Sequence, residues 1–163
     1  MIKKTSERNR FLTLTLGITL GIAIVLTLIL LLVPVKEGRS AEAQGILLFE
    51  SGESKSCTAS VQGTLNTYTF DKDAPVYEGT LLLDGQEVDP VCLTFDGAYA
   101  AAGTEGVRAV MTQDMAIAAQ ITQDGAECLL LAPAPDEDTA QALLAQFLAD
   151  TAYARQQGWE KYQ

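Results

Sequence analysis

Histidine is absent from the 163 residues. Its absence removes Ser-His and Cys-His nucleophilic catalysis, imidazole acid–base chemistry and the most frequent zinc ligand. Cysteine is scarce: Cys57, Cys92 and Cys128 are too far apart for a Cys-x-x-Cys redox motif. Positive charge is thin too. Eleven Lys and Arg stand against 21 Asp and Glu, a net −10, and from Lys36 onward the balance is 7 − 20 = −13. Such a charge repels phosphate, which argues against nucleic acid as a partner. No glycine-rich phosphate loop occurs, and neither a cofactor nor a metal is expected. Ser51, Ser54, Ser56 and Ser60 lie near Lys55 with no motif around them. Asp71-Lys72-Asp73 starts like a calcium loop, but Pro75 takes the fifth position and no glycine follows at the sixth. Asp84, Glu87, Asp89 and Asp136 to Asp138 read as turn and helix-end charges. These residues point to a protein that is not an enzyme.

What the chain does have is one long apolar run. Phe11 to Val33 is 23 residues without a charge. As a helix it would reach ~35 Å, against a ~30 Å hydrocarbon core. It predicts a transmembrane helix over 11–34, ended by Pro34, which cannot continue the hydrogen-bond ladder. Lys3, Lys4, Arg8 and Arg10 precede it with only Glu7 opposed, so residues 1–10 are expected to be a cytoplasmic basic head. The expected protein is then a single-pass signal-anchor in a bacterial cell membrane, with its C-terminal domain extracytoplasmic. The lipid bilayer would be its partner through residues 11–33. Within the run, Thr13, Gly17 and Gly21 place small residues on one face, a pattern that lets helices approach closely. They predict packing in a homodimer or against a partner membrane protein. The rival reading is signal cleavage at Ala41-Glu42-Ala43, near Ala43, which would release a secreted protein.

Residues 35–44 are polar and read as a juxtamembrane linker, and 45–163 as the extracytoplasmic α+β domain. Asp-Gly recurs at Asp84-Gly85, Asp96-Gly97 and Asp124-Gly125, each beside strand-like runs. Asp-Gly tolerates the positive φ of tight hairpins. Strands are expected mainly over 46–131, as an antiparallel β-meander or small sandwich. Candidates are Ile46 to Glu50, Cys57 to Gly63 and Leu65 to Phe70. Met115 to Thr122 reads as strand by alternation, while Val107 to Met111 stays open between strand and helix. After Pro133-Ala134-Pro135, acidic residues at 136–138 mark a helix start. Ala140, Leu143, Leu144, Phe147 and Leu148 recur at helical spacing, so a C-terminal amphipathic helix is expected over about 136–157, stopped by Gly158. Trp159 is expected to fold back onto the domain. Outside the cytoplasm, Cys57, Cys92 and Cys128 are candidates for one disulfide with one thiol left over.

Asp84-Gly85-Gln86-Glu87-Val88, Val107-Arg108-Ala109-Val110 and Thr122-Gln123-Asp124-Gly125 resemble parts of small repeat domains on Gram-positive surface proteins. The spacings differ, and the hallmark proline and leucine positions are missing. No function is carried over from that resemblance. The expected function is a membrane-anchored, non-catalytic binding or accessory domain of a cell-envelope assembly. The alternative is an anchored enzyme using carboxylate or Ser-Lys chemistry.

Overall fold

The Asp-Gly pairs turn the chain where their backbone freedom allows it. Asp84 and Gly85 both take positive φ (50° and 79°), as do Asp124 and Gly125 (52° and 82°). Both pairs therefore make the two-residue turn whose twist matches the flanking strands. At the third, Gly97 alone is positive (66°), and Gly97 and Ala98 form the loop between paired Asp96 and Tyr99.

The computed structural model describes residues 2–68, 74–102 and 107–163, with the side chains of 2–12, 30, 32 and 89 excepted. A helix α1 (Ile2–Leu32) is followed by eight strands: β1 (Val35–Phe49), β2 (Ser54–Thr67), β3 (Val76–Leu83), β4 (Gln86–Asp96), β5 (Tyr99–Ala102), β6 (Arg108–Thr112), β7 (Ile117–Gln123) and β8 (Ala126–Ala132). Helices α2 (Glu137–Asp150) and α3 (Ala152–Gln156) and a 3-10 turn at Trp159–Tyr162 complete the chain. Residues 2–35, with Tyr68, fall in one compact unit; the strands from Lys36 on, with α2 and α3, fall in another.

The strands form a closed antiparallel barrel in chain order. Closure comes from β1 meeting β8, with Ile46 opposite Leu131 and Phe49 opposite Cys128. In β4 the register slips: Leu81 faces Asp89 but Leu82 faces Glu87. This bulge lies next to Pro90, a residue a regular interior strand does not accommodate. Gly63 and Gly79 face each other across β2 and β3. A Cβ on Gly63 would come within 2.4 Å of the Glu78 carbonyl and 2.7 Å of the Tyr77 hydroxyl, so only glycine allows this approach.

Alternation then makes two cores. Inward residues such as Leu47, Val61, Tyr77, Leu81, Leu93, Met111, Ile117 and Leu130 fill the barrel. Outward residues Ile46, Leu48, Val110, Ala118, Leu129 and Leu131 pack under Ala140, Leu144, Phe147, Trp159 and Tyr162. Asp136 caps α2 by accepting from the Thr139 amide at 2.8 Å. The single helix expected to about 157 is broken at Thr151. There the backbone is extended, and the hydroxyl both donates to the Phe147 carbonyl (2.7 Å) and accepts from the Ala154 amide (3.3 Å). Gly158 ends the segment in the left-handed region (φ 69°). Trp159 is fully buried, and its Nε1 donates to Gln120 at 3.3 Å.

The expected fold class needs correction. The β-rich part is a closed eight-stranded barrel, not an open meander or sandwich. Closure depends on β1 meeting β8, a pairing no local turn signal encodes. The α+β class with a single N-terminal transmembrane helix is also overturned: among the described residues no helix is long and apolar enough to cross a membrane. The single-pass cell-membrane localisation, the signal-anchor and the inside–outside placement of the two ends rested on that span and go with it. Residues 35–44 form the first part of β1, and Ala43 lies inside that strand. The open stretch resolves as strand β6 and strand β7 around a turn at 113–116, where Met115 takes φ 69°. The calcium-like start at 71–73, and the end of the expected Leu65 to Phe70 strand, lie outside the described residues.

Candidate functional site

Among the described residues, the barrel interior is lined by buried, mostly apolar side chains. Nineteen buried residues from the eight strands, with Val107 just before β6, occupy it, as close-packed side chains fill the interior of a small barrel. Two of the candidate disulfide residues are inside it. Cys57 and Cys128 are buried free thiols, and Cys92 is a half-buried free thiol on β4 opposite Glu78. Desolvation pushes the thiols of Cys57 and Cys128 up to about 11. They therefore stay protonated and unreactive at neutral pH. Burial likewise pushes Tyr77 up to about 12, and its hydroxyl donates to the Arg39 carbonyl at 3.3 Å.

Two of the four candidate serines, Ser54 and Ser60, have hydrogen-bond partners that are structural. Ser54 donates to Glu137 at 2.6 Å, and Ser60 accepts from Gln62 at 3.3 Å. Asp84 accepts from the Thr58 amide at 2.7 Å, which ties the β3–β4 turn to β2. Asp136, the one carboxylate with a resolved shift among the described residues, is lowered by its hydrogen bonds from Thr139. That is the signature of a helix cap rather than of a general acid. Among the described residues no group of three or more metal-binding side chains comes together.

Thr13, Gly17 and Gly21 lie on α1. Its described large apolar side chains between Leu14 and Ile29 are 49–73% exposed, and a Cβ built on Gly17 or Gly21 would meet nothing within 4 Å. Thr19 and Thr27 donate to carbonyls four residues back, at 2.8 Å each, so their hydroxyls are internally satisfied.

Among the described residues, three depressions lie on the outside of the barrel. One, of about 240 Å³, sits at the end of the barrel where Leu65, Pro75 and Phe95 meet Arg39 and Gln113. Arg39 is already occupied there: it pairs with Glu37 at 3.2 Å and donates to the Gln113 carbonyl at 3.2 Å. A second, of about 200 Å³, is bounded by Glu50, Glu137 and the C-terminal turn, where Lys161 pairs with Glu50. The third is a groove of about 220 Å³ between the outer face of β4–β6 and the junction of α2 with α3. Its walls are Asp96, Tyr99, Asp150 and Tyr153, and its apolar lining includes Ala101 and Val110. Tyr99 donates to Asp150 at 2.5 Å and is braced edge-on against Phe147, with centroids 6.1 Å apart. The bond to Asp150 holds the phenolic proton and raises the Tyr99 pKa.

No family model, no curated protein and no solved structure matches this chain.

Sequence reading did not find the groove. Asp96 and Tyr99 sit at a turn that was legible, but Asp150 and Tyr153 come from the helical segment. Only the packing of α2 on the barrel brings the two sets together.

Proposed function

We propose that this protein is a non-catalytic binding or accessory module, one component of a larger assembly. The observation that carries this reading is the filled barrel. A packed interior favours the outside as the functional surface, and among the described residues the depressions there bring together no cluster of metal-binding side chains. The absence of histidine and the protonated interior thiols point the same way.

The exposed apolar residues of α1 provide one contact surface, since contiguous apolar area of this kind is characteristic of interaction sites. Its small-residue face at Thr13, Gly17 and Gly21 suits close approach by a second copy's helix. Chemical crosslinking of the purified full chain in mild detergent should give a dimer that Gly17→Ile with Gly21→Ile weakens. An unchanged dimer yield would remove the helix-pairing part of the proposal.

For the module as a whole, in-cell crosslinking followed by purification of the tagged full chain should return the same partner in near-stoichiometric amount from independent preparations. Recovery of the chain alone, together with a turnover activity abolished by a carboxylate substitution, would overturn the proposal in favour of an enzyme.

A further inference from the structure

We propose that the groove between β4–β6 and the α2–α3 junction receives a lysine or arginine side chain from a basic segment of a partner protein. This rests on the binding-module reading and identifies the partner's chemistry.

Three features select a long organic cation. The first is uncompensated negative charge. Asp96 and Asp150 both line the groove, and among the described residues neither forms an ion pair. The nearby guanidinium of Arg155 is committed to the carbonyls of Leu148 and Ala149 at the end of α2. Arg108, on the outer face of β6 near Tyr153, does not line the groove. The last turn of α2 has no basic residue of its own.

The second feature is the lining. Ala101 and Ala152, both accessible in the lining, offer apolar surface to a methylene stem, and the half-buried Tyr99 and Tyr153 supply aromatic walls near a cationic head. The contact of Tyr99 with Phe147 and its bond to Asp150 hold one wall in place before any ligand arrives. A bare metal ion would find two carboxylates where hard cations take about six to eight oxygens. A neutral apolar group would leave both negative charges without a counter-ion.

The third feature is the field. From Lys36 onward the chain carries 7 − 20 = −13, which draws basic segments toward it before contact.

The test uses the full chain and a fluorescein-labelled hexa-arginine peptide, read by anisotropy at physiological salt. Asp96→Asn with Asp150→Asn should weaken binding at least tenfold. Asp138→Asn with Glu160→Gln removes the same charge elsewhere and should weaken it less than threefold. Equal losses in the two double variants would reduce the interaction to the general acidic field and overturn the site.

Because a substitution at Asp150 could disturb the fold, a photo-crosslinking arginine peptide on the unmodified chain gives a second readout. Crosslinks should map to Tyr99 or Tyr153, and mapping elsewhere would overturn the proposal. Spermidine that competes as well as the peptide, charge for charge, would assign the groove to free amines instead. An in-cell partner that crosslinks away from the groove would overturn this site while leaving the binding-module reading standing.

Discussion

The two sides of the barrel differ in how much water they see. On β8 the run from Cys128 to Ala132 is buried at every position, because one face fills the barrel and the other lies under the helical cover. On β3, across the barrel, buried residues Tyr77, Leu81 and Leu83 are interspersed with half-buried and exposed ones. A strand packed on both faces needs a continuous apolar run, and one packed on a single face needs alternation. Cys128-Leu129-Leu130-Leu131-Ala132 against Tyr77-Glu78-Gly79-Thr80-Leu81 shows that difference in the residues themselves. The candidate groove lies where the covered wall gives way to the bare one.

The largest test of this comparison is alkaline pH, which acts on the inner core as a set. In the unfolded chain the thiols of Cys57 and Cys128 would ionise near 9, but in the folded chain only near about 11. Between those values the unfolded state releases protons that the native state keeps, so stability is full below pH 9 and falls as pH rises toward 11. Tyr77 adds the same effect between 10 and about 12. Circular dichroism should show cooperative unfolding on this alkaline limb. Cys57→Ala with Cys128→Ala should lose less stability between pH 8 and pH 11 than the unmodified chain, whatever its stability at neutral pH. An equal loss would place the titrating groups elsewhere.

Next in size is removal of the outer cover's anchor. Trp159→Ala should cost about 3–5 kcal/mol in urea denaturation, the range for deleting a fully buried aromatic. A cost under ~1 kcal/mol would mean that the helices barely stabilise the wall beneath them. The comparison sharpens with a leucine series. Leu130→Ala empties the inner core and Leu131→Ala the outer one, and both should cost about 2–5 kcal/mol. Leu82→Ala, at a half-buried position on the bare side, should cost clearly less. Similar losses at Leu82 and Leu131 would erase the distinction between the walls. The smallest effect is at the start of the cover: Asp136→Ala should lower the urea midpoint less than any of these core substitutions, through loss of the cap. Acid should do the same by protonating the carboxylate. Its pKa is lowered in the folded state, so its contribution is present above the unfolded value and is lost as pH falls through the folded one.

Much of the local structure was legible. Asp84-Gly85 and Asp124-Gly125 form hairpin turns because only a few residue types accept two positive φ values in succession. Asp136 starts a helix because its carboxylate satisfies an amide that the helix leaves free, and Gly158 stops the segment because it enters the left-handed region cheaply. Other features were out of reach. Thr151 interrupts the C-terminal helix through a hydroxyl that caps both sides of the break, although the apolar spacing runs on past it. The apolar run at 11–33 led to a membrane span that the described helix does not support. The barrel-end depression at Arg39 and the groove at Tyr99 each combine residues from strands and turns far apart in the chain.

The order of residues alone thus determined where the chain turns, which strands are wetted on one side, where the C-terminal helix begins and which chemistries are missing. These follow from backbone freedom, alternation and composition, all of which act over a few residues. Tertiary structure alone decided that β1 closes on β8, that the interior is filled, and that Asp96 and Tyr99 meet Asp150 and Tyr153. Each of these depends on segments distant in sequence burying surface against one another, and the free energy of that burial belongs to the pair of surfaces rather than to either segment.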